Sequence, residues 1–80
     1  MKYFEQIEGV LNAEFSFGNF TEALSFVNQC GDLFEQHNHH GDIGIFDYSR
    51  VSIMLTTHDA GNTVTEKDTN LASEIEALMD

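Results

Sequence analysis

Two stretches of strict two-residue alternation, each followed by apolar residues recurring every three or four positions, constrain the layer architecture of this chain more than any other feature. Leu11, Ala13, Phe15 and Phe17 alternate with Asn12, Glu14 and Ser16, and Val51, Ile53 and Leu55 alternate with Ser52, Met54 and Thr56. Successive side chains on a strand point to opposite faces, so each stretch predicts a strand with one apolar and one wet face. The first strand of a hairpin is expected over Lys2 to Glu8, its partner over Val10 to Phe17, with the turn at Gly9. Ile43 to Asp47 forms a short strand joined through Tyr48 to Arg50 to the last strand, which ends near His58. Between the pairs, Asn19 or Thr21 caps a helix whose stripe is Phe20, Leu24, Val27, Cys30 or Gly31, and Phe34, ending near His37. Asn38 to Asp42 is read as a loop and Asp59 to Thr63 as a turn. Thr65-Glu66-Lys67-Asp68 resembles a capping box with Asp in place of the usual Glu, opening a helix with Leu71, Ala72, Ile75 and Leu78 on one face. The order ββαββα, with one apolar stripe per helix, predicts an α+β fold: a four-stranded antiparallel sheet with both helices on one face and Ser52, Met54 and Thr56 on the other.

Eighty residues, 41% of them hydrophobic, are enough for one core and too few for two, so one domain over residues 1–80 is expected. Three Lys plus Arg stand against fourteen Asp plus Glu, and the resulting charge of −11 repels phosphate backbones and anionic lipid surfaces. Nucleic acid and membrane are therefore not expected as partners. No apolar run is long enough for a transmembrane helix or a signal-peptide core, and the chain reads as cytoplasmic. Cys30 is the lone cysteine, which leaves no internal disulfide or cysteine-based zinc cluster, and its place in a helical stripe makes it a packed thiol.

Generic folding does not explain four histidines in so acidic a chain, three of them within His37-Asn38-His39-His40. Three readings are open. The rings solvate a helix end and its carbonyls; or His37, His39 and His40 plus His58 or Asp59 ligate zinc or another divalent ion, although no familiar spacing such as H-E-x-x-H is present; or they form a metal-free acid–base site, since an imidazole titrates near roughly 6.5. If helical geometry persists past His37, Glu35 and His39 share a face and the carboxylate orients that ring.

Glu35, His39-His40, Gly41, Tyr48, His58 and Asp68 follow the signature of the pterin-4a-carbinolamine dehydratases. Phe15-Ser16-Phe17-Gly18-Asn19-Phe20-Thr21-Glu22-Ala23-Leu24, Leu55-Thr56-Thr57-His58-Asp59 and Asp68-Thr69-Asn70-Leu71-Ala72 look like the family's flanking segments, so the chain resembles that family over roughly residues 10 to 78. The resemblance implies helices on one face of a four-stranded antiparallel sheet, and a homodimer or homotetramer. It implies dehydration of 4a-hydroxytetrahydropterin to quinonoid dihydropterin, a pterin-recycling step in which the pterin is substrate and neither metal nor cofactor is needed. It also implies His39, His40 and His58 around the pterin as acid–base groups, Glu35 orienting a ring, and Asp68, Thr57 and Asp59 as substrate-binding residues. Three departures stand out: Gly41 replaces the proline after the histidine pair, no tryptophan is present, so that Ile43 or Phe46 is expected as the aromatic wall's replacement, and the first helix is missing. Some relatives act as dimerisation partners of transcription factors. The competing function is thus a non-catalytic interaction module, with Leu71, Ile75 and Leu78 of the last helix facing a partner. Tyr48 is expected to pack at a strand end, and Met54 to lie in a subunit interface.

Overall fold

The computed structural model describes residues 1–80 as β1 (Glu5–Ile7), β2 (Val10–Ser16), α1 (Phe20–His37), β3 (Asp42–Phe46), β4 (Arg50–Leu55), a short 3-10 helix (His58–Ala60) and α2 (Glu66–Ala77). The strands form one antiparallel sheet in the order β1-β2-β4-β3, so the two alternating stretches are its central strands. Register places Leu11 opposite Leu55, Ala13 opposite Ile53 and Phe15 opposite Val51, and these six residues are buried on one face. Both helices supply side chains to that face: Ala23, Phe26, Cys30 and Phe34 from α1, and Leu71, Ala72 and Ile75 from α2, are buried in the same cluster. Phe15 lies among aromatic rings, with centroids 4.9 Å from Tyr3 and 4.8 Å from Phe26. The opposite face is open, and Met54 is exposed there. No helix is long and apolar enough to cross a membrane.

The sequence expectation for α1 is off by a fraction of a turn. Its inward stripe is Ala23, Phe26, Cys30 and Phe34, whereas Phe20 and Leu24 are 45% and 43% exposed. A stripe chosen by size favours Phe and Leu over Ala, but Ala23 is the small residue that lets the helix approach the sheet. Leu78 likewise lies past the end of α2 and is exposed, while Leu71 and Ile75 are fully buried and cannot face a partner. Asn19, not Thr21, caps α1, its side chain accepting from the Glu22 amide at 2.9 Å. β1 is shorter than Lys2 to Glu8 because the amides of Lys2, Tyr3 and Phe4 donate to the carboxylate of Glu76 on α2 instead of to a neighbouring strand.

Candidate functional site

The site forms where α1 stops, β4 ends and α2 begins. Asn38 adopts the left-handed conformation (φ 49°), and the amides of Asn38 and His39 fold back onto the carbonyls of Glu35 at 3.2 Å and Phe34 at 3.1 Å. This paired closure satisfies the last helical carbonyls and throws the following residues off the helix axis. Helical geometry therefore does not persist to His39, and the expected Glu35–His39 pairing is not formed. Glu35 pairs with His40, while His39 swings to α2, where its Nε2 donates to Asp68 Oδ1 at 2.6 Å. His37 pairs with Glu74 of α2 and joins the two helices outside the site.

His39, His40 and His58 line one cavity of about 300 Å³ together with Thr57, Asp59 and Lys67, a volume at the lower end of ligand sites. Asn38 and Thr56 complete the lining, which contains no hydrophobic residue. A larger hollow of about 420 Å³ lies beside it and shares Thr57, Asp59 and Lys67. Each ring is anchored through one nitrogen to an oxygen that only accepts: His39 to Asp68, His40 to Glu35, and His58 through Nδ1 to Asn62 Oδ1 at 2.6 Å. That nitrogen must carry the proton, so in each neutral ring the other nitrogen is an unprotonated acceptor. None of those second nitrogens has a hydrogen-bond partner within the chain. No three His, Cys, Asp or Glu side chains are gathered as a group able to hold a metal ion.

Asp68 is fully buried. Its Oδ2 accepts from the Thr57 hydroxyl at 2.7 Å and the Thr65 amide at 2.9 Å, leaving Oδ1 for His39. Burial by itself pushes the carboxyl up, but the hydrogen bonds from His39, Thr65 and Thr57 and the charge of His39 outweigh it and hold the group below the usual carboxylate range. Asp68 is thus a buried anion at the back of His39. Thr57 and Asp68 are expected to bind substrate; in the structure the Thr57 hydroxyl and both Asp68 oxygens have protein partners, while Thr57 also lines both hollows.

Gly41, which stands where the resemblance leads one to expect proline, is a close contact. A Cβ there would lie 2.6 Å from the Met54 carbonyl and 2.4 Å from Leu55 Cδ2, so the glycine lets the histidine loop lie against β4. Ile43 and Phe46 do not replace an aromatic wall: both line a groove along β3, away from the histidines. Tyr48 sits in the β3–β4 turn at the far end of β4, 66% exposed, its ring stacked 6.5 Å from Phe20. Sequence reasoning passed over Lys67, which makes no ion pair, and Asn62, which orients His58. The hydroxyl-bearing cap before the last helix, Thr65, was legible only as a helix start. Cys30, its thiol pushed up to about 12 by burial, plays no part in the site.

Residues 4–78 match the sequence profile of the family described as Pterin 4 alpha carbinolamine dehydratase. Curated relatives carry the provisional name pterin-4-alpha-carbinolamine dehydratase. The protein from Thermomicrobium roseum is 48% identical over 62 residues, spanning 78% of this chain and 64% of its own length, and that from Picosynechococcus is 41% identical over 73 residues, spanning 91% and 77%. This chain thus spans a little under two thirds of the first of these. A crystal structure from Brucella melitensis, titled a transcriptional coactivator/pterin dehydratase, superposes with a TM-score of 0.82 at 29% identity over 92% of this chain and 79% of that one. A pterin dehydratase-like RuBisCO assembly factor of the alpha-carboxysome shares the fold, with a TM-score of 0.73 at 22% identity over 94% and 84% of the two chains.

Proposed function

This chain belongs to the pterin-4a-carbinolamine dehydratase family, and from that premise we propose that it dehydrates 4a-hydroxytetrahydropterin to quinonoid dihydropterin, in recycling of a tetrahydrobiopterin-type pterin. The reading is carried by one observation: three imidazoles border a single cavity, each anchored through one nitrogen and open at the other. The reaction needs a proton delivered to the departing 4a hydroxyl, which leaves as water, and another taken from the ring nitrogen beside it. His39 is suited to take the proton, because the imidazolium it becomes is held against the buried anion Asp68. His40 and His58 are exposed, exchange protons with solvent, and are suited to deliver one. Glu35 orients His40, and Asp59 and Lys67 offer polar contacts to the heterocycle. No metal ion or cofactor enters this scheme. The test is dehydration of 4a-hydroxytetrahydropterin by the wild type and by His39→Ala and His58→Ala. Activity is expected in the wild type and a loss of on the order of a hundredfold in either variant, with circular dichroism unchanged; full activity in both variants overturns the assignment.

We further propose that the chain works as a homo-oligomer. Support comes from α1, where Phe20 and Leu24 are 45% and 43% exposed at helical spacing, with half-buried Val27 and Gly31 continuing the same stripe.

A further inference from the structure

We propose that Thr65 and Thr57 are positioning residues of the histidine site, a two-hydroxyl lock that fixes the Asp68 carboxylate and through it His39; this rests on the acid–base reading of the site given above. A threonine hydroxyl has one proton to give. Thr57 Oγ1 gives its proton to Asp68 Oδ2 at 2.7 Å, and Thr57 Oγ1 and Thr65 Oγ1 are also 2.7 Å apart. The proton between the two hydroxyls therefore comes from Thr65, and the chain of donation runs in one direction, from Thr65 to Thr57 to Asp68. His39 completes it by donating to the other carboxylate oxygen.

The lock is built on fixed backbone. Thr57 is held in a bridge with Thr63, its amide donating to the Thr63 carbonyl at 3.0 Å, and its own carbonyl accepts from Ala60 and Asn62. Thr65 is the residue before α2, and its amide supplies the second donor to Asp68 Oδ2. Thr57 and Asp68 are 6% and 0% exposed, so the hydrogen bond between them is made largely out of bulk water, where it is strengthened. An aspartate with three donors on two oxygens has one orientation left, and that orientation sets where the free nitrogen of His39 points. Capping the last helix and aiming the histidine are thus done by the same carboxylate. The charged and titratable groups facing this unit are His39 itself, His40 beside it, His58 and Asp59 from the segment after β4, and Glu66 and Lys67 from α2; the substitutions below leave all of them in place.

The experiment measures two things in Thr57→Val, Thr65→Val, Thr57→Ser and Thr65→Ser: the titration of Asp68 followed by its side-chain carboxyl carbon in NMR, and the pH profile of kcat for dehydration. In the valine variants the Asp68 titration is expected to move up toward the ordinary carboxylate range, because burial is then less fully opposed. The expected fall in kcat is on the order of tenfold. The serine variants, which keep the hydroxyl, are expected to restore both. Thr65→Val tests the same chain at its outer end should Thr57→Val fail to fold. Asp68 titrating as in the wild type in the valine variants overturns the lock. A wild type inactive toward 4a-hydroxytetrahydropterin overturns the functional reading alone, since the carboxyl titration is read without turnover.

Discussion

At the scale of single residues, the neighbouring histidines His39 and His40 differ most in what stands behind them. The His39 ring is 12% exposed against a fully buried carboxylate, while His40 and Glu35 are 56% and 77% exposed. Removing His39 takes a donor from a buried anion, which costs about 1–3 kcal/mol, whereas an exposed pair contributes less than about 1 kcal/mol. Chemical denaturation of His39→Ala and His40→Ala at neutral pH is expected to show a clear loss of stability in the first and almost none in the second; equal losses would contradict the burial of the His39–Asp68 contact. The sequence made both rings legible as candidates but not their partners. A spacing of four residues argues for Glu35 with His39 only while the helix lasts, and the left-handed turn at Asn38 ends it one residue too soon. Asp68 stands far along the chain from His39, and nothing in periodicity brings the two together.

At the scale of elements, alternation and helical period were enough to give the order ββαββα and the shared face of the sheet, because each is a local property of one segment. The edges were not local. β1 stops at Glu5 because Glu76, near the end of α2, takes up the amides of Lys2, Tyr3 and Phe4 at 3.3, 2.6 and 3.0 Å. Burial pushes the Glu76 carboxyl up, and the three amides with the N-terminal ammonium bring it below the ordinary range. A carboxyl lowered on folding stabilises the fold above its unfolded pKa of roughly 4.3, and that stabilisation is lost as pH falls through the lower, folded value. Glu76→Gln is therefore expected to cost about 1 kcal/mol at pH 7 and to converge on the wild type at pH values below the folded pKa. Urea unfolding of both proteins across the acid range checks this, and a gap that stays constant with pH would rule out the carboxylate as its cause.

At the scale of the whole molecule, a charge of −11 and an apolar stripe on α1 make opposite demands on association. Repulsion between copies falls as salt is added, while burial of Phe20 and Leu24 is insensitive to it. Sedimentation equilibrium is expected to give an oligomer that strengthens with salt, and Leu24→Glu a monomer of unchanged circular dichroism; an unchanged mass in the variant would place the contact elsewhere. The sequence suggested Met54 for a subunit interface and the last helix for a partner; Met54 is exposed on the open sheet face, while α2 spends Leu71 and Ile75 inside the core. The tip of the first hairpin also reaches the site. At Gly9, in a left-handed turn with φ of 80°, any Cβ would fall 2.6 Å from the Asn62 carbonyl, and the Gly9 carbonyl accepts from Thr56 at 2.8 Å. Asn62 is the residue that orients His58. The hairpin's elbow is thereby wedged against the seat of one imidazole, so that any side chain added at Gly9 would press on the very residue that holds the His58 ring.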